Sequence, residues 1–176
     1  MPFLYRDIPL HYRVDLARLP AELRRAFVEL DVDDSTRSWI DAVRTRPNTR
    51  ARALMRDLAM IFVSYYDANG LTNSFQDRLL STAQWRRLLG EGGARLLDVG
   101  AGDGEVTRQI APLFSEVVAT ETSKPMVRRL RGKGYAAHHC DIAFEPVDEP
   151  GSFDVVALQN VIDRTTHPLR LIESAF

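Results

Sequence analysis

From residue 95 onward, short apolar runs alternate with stretches of helical spacing. Arg95 to Val99, Glu116 to Thr120, Tyr135 to Cys140 and Phe153 to Asn160 read as strands, and Glu105 to Leu113 and Lys124 to Arg131 as helices between them. Such alternation implies an α/β fold of the Rossmann-like kind, a parallel sheet with right-handed crossovers whose ligand sits beyond the carboxyl ends of the strands. After the fourth strand only a helix start, Pro168 to Phe176, remains, so the sheet is expected to be truncated after strand four. Either the fold is shortened there, or something else covers the open edge of strand four.

The first ninety residues read as a helical extension, which predicts two segments, 1–90 and 91–176. Pro20 suits the first turn of a helix through Leu23, Ala26, Phe27 and Leu30, where the missing N–H costs nothing. Asp34 or Ser35 is placed to cap a second helix that carries Trp39, Ile40 and Val43. Pro47 separates it from a third, Thr49 to Tyr66, which Asn69-Gly70 should end. Its stripe of Leu54, Leu58, Ile61, Phe62 and Tyr65 predicts core packing against the sheet. Ser81-Thr-Ala-Gln84 has capping-box spacing and opens a short helix through Trp85, Leu88 and Leu89 that Gly90 closes. Gly92-Gly93 then turns the chain into the first strand.

Composition narrows the classes of partner. The 176 residues carry 23 Lys plus Arg against 24 Asp plus Glu, so no overall field attracts nucleic acid or anionic lipid. The cluster Arg128-Arg129-Leu130-Arg131 reads as a solvated helix face. Cys140 is the only cysteine, which excludes an internal disulfide and a cysteine-based zinc cluster; it is expected to be buried in strand three. No signal peptide and no run of eighteen apolar residues is seen, so an intracellular, cytoplasmic protein without a membrane span is expected. His11, His138, His139 and His167 show no metal spacing, and no metal is predicted.

Candidate chemistry lies in Arg95-Leu-Leu-Asp-Val-Gly-Ala-Gly-Asp-Gly-Glu105. Gly100, Gly102 and Gly104 follow the strand that ends at Asp98 and Val99, and glycine there reaches positive φ and leaves bare backbone beside a helix start. The dinucleotide loop that grips a pyrophosphate is G-x-G-x-x-G, whereas this one is G-x-G-x-G beside an acid. Asp98 is a poor neighbour for phosphate and suits a cationic group such as the amino end of S-adenosylmethionine (SAM). Alone, the turn fits a plain strand–helix connection equally well. Glu121, at the end of the next apolar run, tips the balance, since an acid there accepts from both ribose hydroxyls, with Thr122 beside it. Asp141 ends the third strand and can reach an adenine amino group, and Gln159 leaves the fourth.

The run 96–107, then Ala119-Thr-Glu-Thr-Ser123 with Met126, then Asn160-Val-Ile-Asp163-Arg164 with Pro168-Leu169, resembles the DREV, or methyltransferase-like protein 9, family. Ser81-x-x-Gln84 with Arg87-Leu88-Leu89 is also similar to the segment before the first strand there, so the likeness covers about residues 80–173. It implies a class I methyltransferase fold, with SAM as donor and S-adenosylhomocysteine as product. It further implies transfer to the pros nitrogen (Nδ1) of histidine in His-x-His segments of a protein or peptide. Asn160 and Asp163 become the candidate catalytic residues by that analogy.

The implied reaction is chemically reasonable. Imidazole is about 90% neutral one pH unit above its ordinary pKa of about 6.5, so no strong base is needed. Attack through Nδ1 requires the proton on Nε2, and Asp163 helped by Asn160 would hold that N–H and stabilise the charge that grows on the ring. Placing two reactants in line supplies on the order of 7–11 kcal/mol. Two alternatives stand beside it: a SAM methyltransferase for a small molecule or another protein site, because the cofactor half is widely shared, and a catalytically silent binding module. A nucleic-acid methyltransferase is disfavoured by the balanced charge and by the lack of an Asn-Pro-Pro-Tyr or catalytic cysteine motif.

Overall fold

The computed structural model describes residues 13–45, 50–72, 78–149 and 151–175. The chain divides into two compact units, residues 1–47 and 48–176. In the first, Asp15 caps a 3-10 turn at Leu16–Arg18, followed by α1 (Ala21–Ala26) and α2 (Asp34–Thr45). Helix α1 stops well before Leu30, since it buries none of its residues and packing does not extend it. The cap of α2 is Asp33 instead of Asp34 or Ser35. Its carboxylate accepts from Thr36 N at 2.8 Å, and its carbonyl accepts from Arg37 N at 2.9 Å. Pro47 and His11 lie outside the described residues, and the Val43 side chain is not described.

The second unit begins with α3 (Arg50–Ala59), α4 (Tyr65–Thr72) and α5 (Thr82–Leu89). The single helix expected over 49–66 is two helices separated by a turn, and Asn69-Gly70 lies inside the second. Ser64 starts α4 by accepting from Asp67 N through its hydroxyl and from Ala68 N through its carbonyl. Asn69 then donates to Tyr65 O at 2.8 Å, so its amide supports the helix it was expected to end. Gly70 serves close approach, because it has no side chain to hold the neighbouring backbone away. A Cβ there would meet Pro125 Cβ at 3.0 Å and Met126 Sδ at 3.3 Å. The stripe expected to be core is open to solvent, with Phe62 86% and Ile61 70% exposed. The buried residues lie instead on α4, at Ala68, Asn69 and Gly70.

The capping box forms as its spacing predicts. Gln84 N donates to Ser81 Oγ at 3.1 Å, and Ser81 N donates to Gln84 Oε1 at 2.8 Å. Helix α5 leads through Gly90, at φ +70°, into β1 (Gly93–Val99). There follow α6 (Thr107–Ile110) with a 3-10 turn at Ala111–Leu113, β2 (Phe114–Glu121), α7 (Lys124–Gly132), β3 (Ala136–His139), β4 (Val155–Ala157) and α8 (Pro168–Ala175). The sheet order is β3-β2-β1-β4 and every pairing is parallel. The first crossover helix is shorter than expected: it starts at Thr107 instead of Glu105, and around Pro112 it closes in a 3-10 turn.

Successive strand residues point to opposite faces, and each face is covered. On one, Leu97, Val99 and Val118 pack with Ile142, Ala143 and Leu171 of α8; on the other, Leu96 packs with Ile110, Trp85 and Leu89, and Ala119 with Val127 and Leu130. Polar ties secure the amino end of the sheet. Asp154 Oδ2 accepts from Ala94 N at 2.7 Å and Arg95 N at 2.8 Å, while Arg95 pairs with Glu116 at 2.7 Å and Asp148 at 2.8 Å. The carboxyl end is open.

Candidate functional site

At that open edge lies a cleft of about 270 Å³. The β1–α6 turn forms its floor with Gly100, Ala101 and Gly102; Glu121 and Thr122 end β2, Cys140 and Asp141 leave β3, and Gln159 and Asn160 leave β4. Register makes this convergence inevitable, since Asp98 stands beside Ala119 on one side and Ala157 on the other, so the strands finish together.

Each glycine of the turn has its own reason. Gly100, Gly102 and Gly104 all lie at positive φ, 67°, 59° and 82°. A Cβ at Gly102 would meet no protein atom within 4 Å, so the bare backbone faces open space in the cleft. Gly104 does not line the cleft; a Cβ there would sit 2.9 Å from Leu130 Cδ2, so it is a packing glycine.

Asp98 is 1% exposed, and its Oδ2 accepts from Thr107 Oγ1 at 2.6 Å. Burial pushes its carboxyl from 3.8 up to about 6; the Thr107 hydroxyl and the nearby Gln159 amide oppose this, and the Glu121 charge adds to it. The Gln159 amide is itself buried, and although it lies close to Asp98, neither its Nε2 nor its Oε1 completes a well-aligned hydrogen bond with a described residue. Glu121 organises the turn, with Oε2 accepting from Gly102 N at 3.0 Å and Oε1 from Ser123 N at 2.9 Å. The Thr122 carbonyl lies 2.9 Å from His139 Nε2. Asp141 Oδ1 accepts from Ala143 N at 3.0 Å, which fixes the turn after β3.

Asn160 lines the cleft at φ +53°, the left-handed region that a non-glycine residue occupies at a cost and that Asn tolerates best. Asp163 is exposed in the following turn and does not line the cleft, whereas Arg164, Thr165 and Thr166 do. Cys140 lies just beyond β3, half-buried and on the cleft wall instead of inside the strand. Burial pushes its thiol above the ordinary value, with Glu145 and Asp141 adding to the effect, so it is a poor nucleophile. Three contributors have no signal in the glycine motif: Thr107, which holds Asp98, and Tyr66 and Asn69, which α4 brings to the rim. The Ser64-x-x-Asp67 cap was the available clue to α4.

Chemically, the rim is rich in acceptors and in free backbone, which suits a ligand carrying hydroxyls, amino groups and a positive charge. Among the described residues no group of three or more His, Cys, Asp or Glu could hold a metal ion, and no helix is long and apolar enough to cross a membrane.

A four-stranded parallel sheet of this order, with helices on its faces and a glycine turn between two acids, is the Rossmann-like α/β architecture of class I methyltransferases. The chain belongs to the DREV methyltransferase family, whose model matches residues 11–176. Over 65 residues it is 43% identical to a tRNA/tmRNA (uracil-C(5))-methyltransferase of Azoarcus sp. (strain BH72), a match spanning 36% of this chain and 16% of that protein. Over 88 residues it is 30% identical to a ubiquinone biosynthesis O-methyltransferase of Xanthomonas campestris pv. campestris (strain B100), spanning 47% of this chain and 37% of the relative. The chain thus spans well under half the length of these two relatives. Among solved structures it is similar to the cyclase SpnF, at 22% identity and TM-score 0.45 over 53% of this chain and 38% of that one. Streptomyces venezuelae DesVI gives 21% and 0.43 over 69% and 50%.

Proposed function

We propose that the protein binds SAM at the carboxyl edge of its sheet and transfers the methyl group to Nδ1 of histidine in His-x-His segments of a protein. One observation carries the cofactor assignment: a fully buried acid, Asp98, with no basic partner among the described residues, stands beside a glycine turn at which the Gly102 backbone faces space free of protein atoms. The Gln159 amide beside Asp98 supports it, because a buried amide whose hydrogen bonds are incompletely satisfied is costly.

In this reading Asp98 takes the amino group of the methionine end and the backbone at Gly100 and Gly102 lies along the ligand. Gly104 keeps the turn packed on α7, and Gln159 completes its own hydrogen bonds with the ligand. Glu121 with Thr122 holds the ribose, and Asp141 the adenine amino group. When bound, SAM supplies an electrophilic methyl group on a sulfonium. Asn160 and Asp163 act on the acceptor. They hold the Nε2–H of the incoming imidazole, which leaves the Nδ1 lone pair free, and the carboxylate stabilises the ring charge that develops. Because Asp163 is exposed, the peptide must lie across the 160–164 turn to meet it. That exposure favours one other reading, an acceptor of different chemistry oriented by Asn160 alone.

Incubation with isotopically labelled SAM and a set of His-x-His peptides, followed by mass spectrometry that locates the methyl group, decides between them. The expected product is Nδ1-methylhistidine, with transfer abolished in Asp163→Ala and SAM affinity within about twofold of wild type. Equal loss of transfer and affinity would reject the role of Asp163, and labelling of no histidine peptide would reject the substrate.

A further inference from the structure

Helix α4 belongs to no glycine or strand-end motif, yet it forms one wall of the cleft. Its position is built in. Ser123 Oγ donates to Asp67 Oδ1 at 2.6 Å, and Arg129 Nε donates to the Gly70 carbonyl. Gly70 brings the two backbones together over Pro125 and Met126. Ser123 also donates through its N–H to Glu121 Oε1, and Glu121 Oε2 accepts from Gly102. A continuous chain of hydrogen bonds therefore runs from Asp67 of α4 through Ser123 and Glu121 to the glycine turn.

Two α4 side chains face the cleft with spare capacity. Asn69 is 3% exposed; its Nδ2 donates to Tyr65 O, while its Oδ1 accepts from no described residue. Tyr66 presents its ring to the cleft, and its hydroxyl bonds to no described residue. An amide oxygen that opens onto the cleft with no donor among the described residues is available to accept a hydrogen bond from a ligand. The elements that α4 touches, the β2–α7 turn and the start of α7, are those that carry Glu121 and Met126, and both of these line the cleft.

We infer that α4 is part of the ligand site: Asn69 Oδ1 accepts a hydrogen bond from the nucleoside part of the methyl donor, and the Tyr66 ring packs against that same part. The inference rests on the assignment of SAM to this cleft, with Glu121 at the ribose. Its chemical content is that α4 reads the nucleoside, whereas Asp98 reads the amino-acid end.

Two probes separate these ends. S-adenosylhomocysteine carries both, and 5′-methylthioadenosine keeps the nucleoside but lacks the amino acid. Calorimetric titration of the full chain should show Asn69→Ala and Tyr66→Ala weakening both probes by the same factor, about fivefold to tenfold for one neutral hydrogen bond. Asp98→Asn should weaken S-adenosylhomocysteine alone. Thermal melting without ligand checks folding, and Tyr66→Ala, at a 43% exposed position, keeps the test open if Asn69→Ala is destabilised. Unchanged affinities in both α4 variants would overturn the inference, as would a loss confined to S-adenosylhomocysteine. Failure of the wild-type chain to bind either probe would instead reject the SAM assignment itself.

Discussion

Asp98 is the residue on which the electrostatics of the cleft turn. Its carboxyl rises from 3.8 to about 6 on folding because burial disfavours the anion, a change equivalent to about 3 kcal/mol. A group raised in the folded state contributes its stability below the unfolded value and loses it as pH rises through the folded one. Without ligand, the chain should therefore lose roughly 2 kcal/mol of this between pH 4 and pH 7, and Asp98→Asn should flatten that part of a urea-midpoint profile. A bound ammonium reverses the preference, so affinity for S-adenosylhomocysteine should fall about tenfold per pH unit below 6. The glycines give a second contrast. At Gly104 an added Cβ would lie 2.9 Å from Leu130 Cδ2. Gly104→Ala should therefore cost about 2–3 kcal/mol in chemical denaturation yet leave ligand stabilisation intact. Gly102→Ala should cost about 1 kcal/mol and remove the ligand-induced rise in Tm, because the added methyl occupies the cleft. That the acids and glycines stand at the strand ends was legible in the sequence, because strand–helix alternation fixes where each strand finishes. The left-handed backbone of Asn160 and the Thr107 hydroxyl on Asp98 were not, since neither leaves a local pattern.

The order of the strands and the place of α5 and α7 were legible from hydrophobic period, reinforced at α5 by capping chemistry, whereas the fourth strand, expected over Phe153 to Asn160, is only Val155–Ala157. Ser81 shows the strength of such a signal, because both halves of its box form. Ser81→Ala should lower stability by about 1 kcal/mol in urea denaturation without changing ligand affinity. A loss smaller than the roughly 0.5 kcal/mol at the low end for such a cap would contradict that role. Helices α3 and α4 show where pattern fails. An apolar stripe at helical spacing predicted one buried helix, but the Ser64 cap restarts the helix and turns the buried side to Ala68, Asn69 and Gly70. Asn-Gly reads as a stop in isolation, and only the approach of Pro125 and Met126 explains why it does not act as one.

Seen whole, the second unit separates its two sheet ends by task. The amino end is tied by Arg95, Glu116, Asp148 and Asp154, while the carboxyl end keeps its acids for the cleft. Parallel winding explains the division, since crossovers return every strand end to one edge, and this was readable from the strand–helix order alone. Membership in the DREV methyltransferase family agrees with it. What no periodicity could supply was the part of the cleft lined by Tyr66 and Asn69, which comes from a helix far earlier in the chain. The most direct measurement is a calorimetric titration of wild-type chain and Glu121→Ala with SAM. One ligand should bind per wild-type chain, and affinity should fall at least about tenfold in the variant, the loss of charged hydrogen bonds to a ribose. No binding to the wild type, or equal binding to both, would contradict a nucleoside site on this rim.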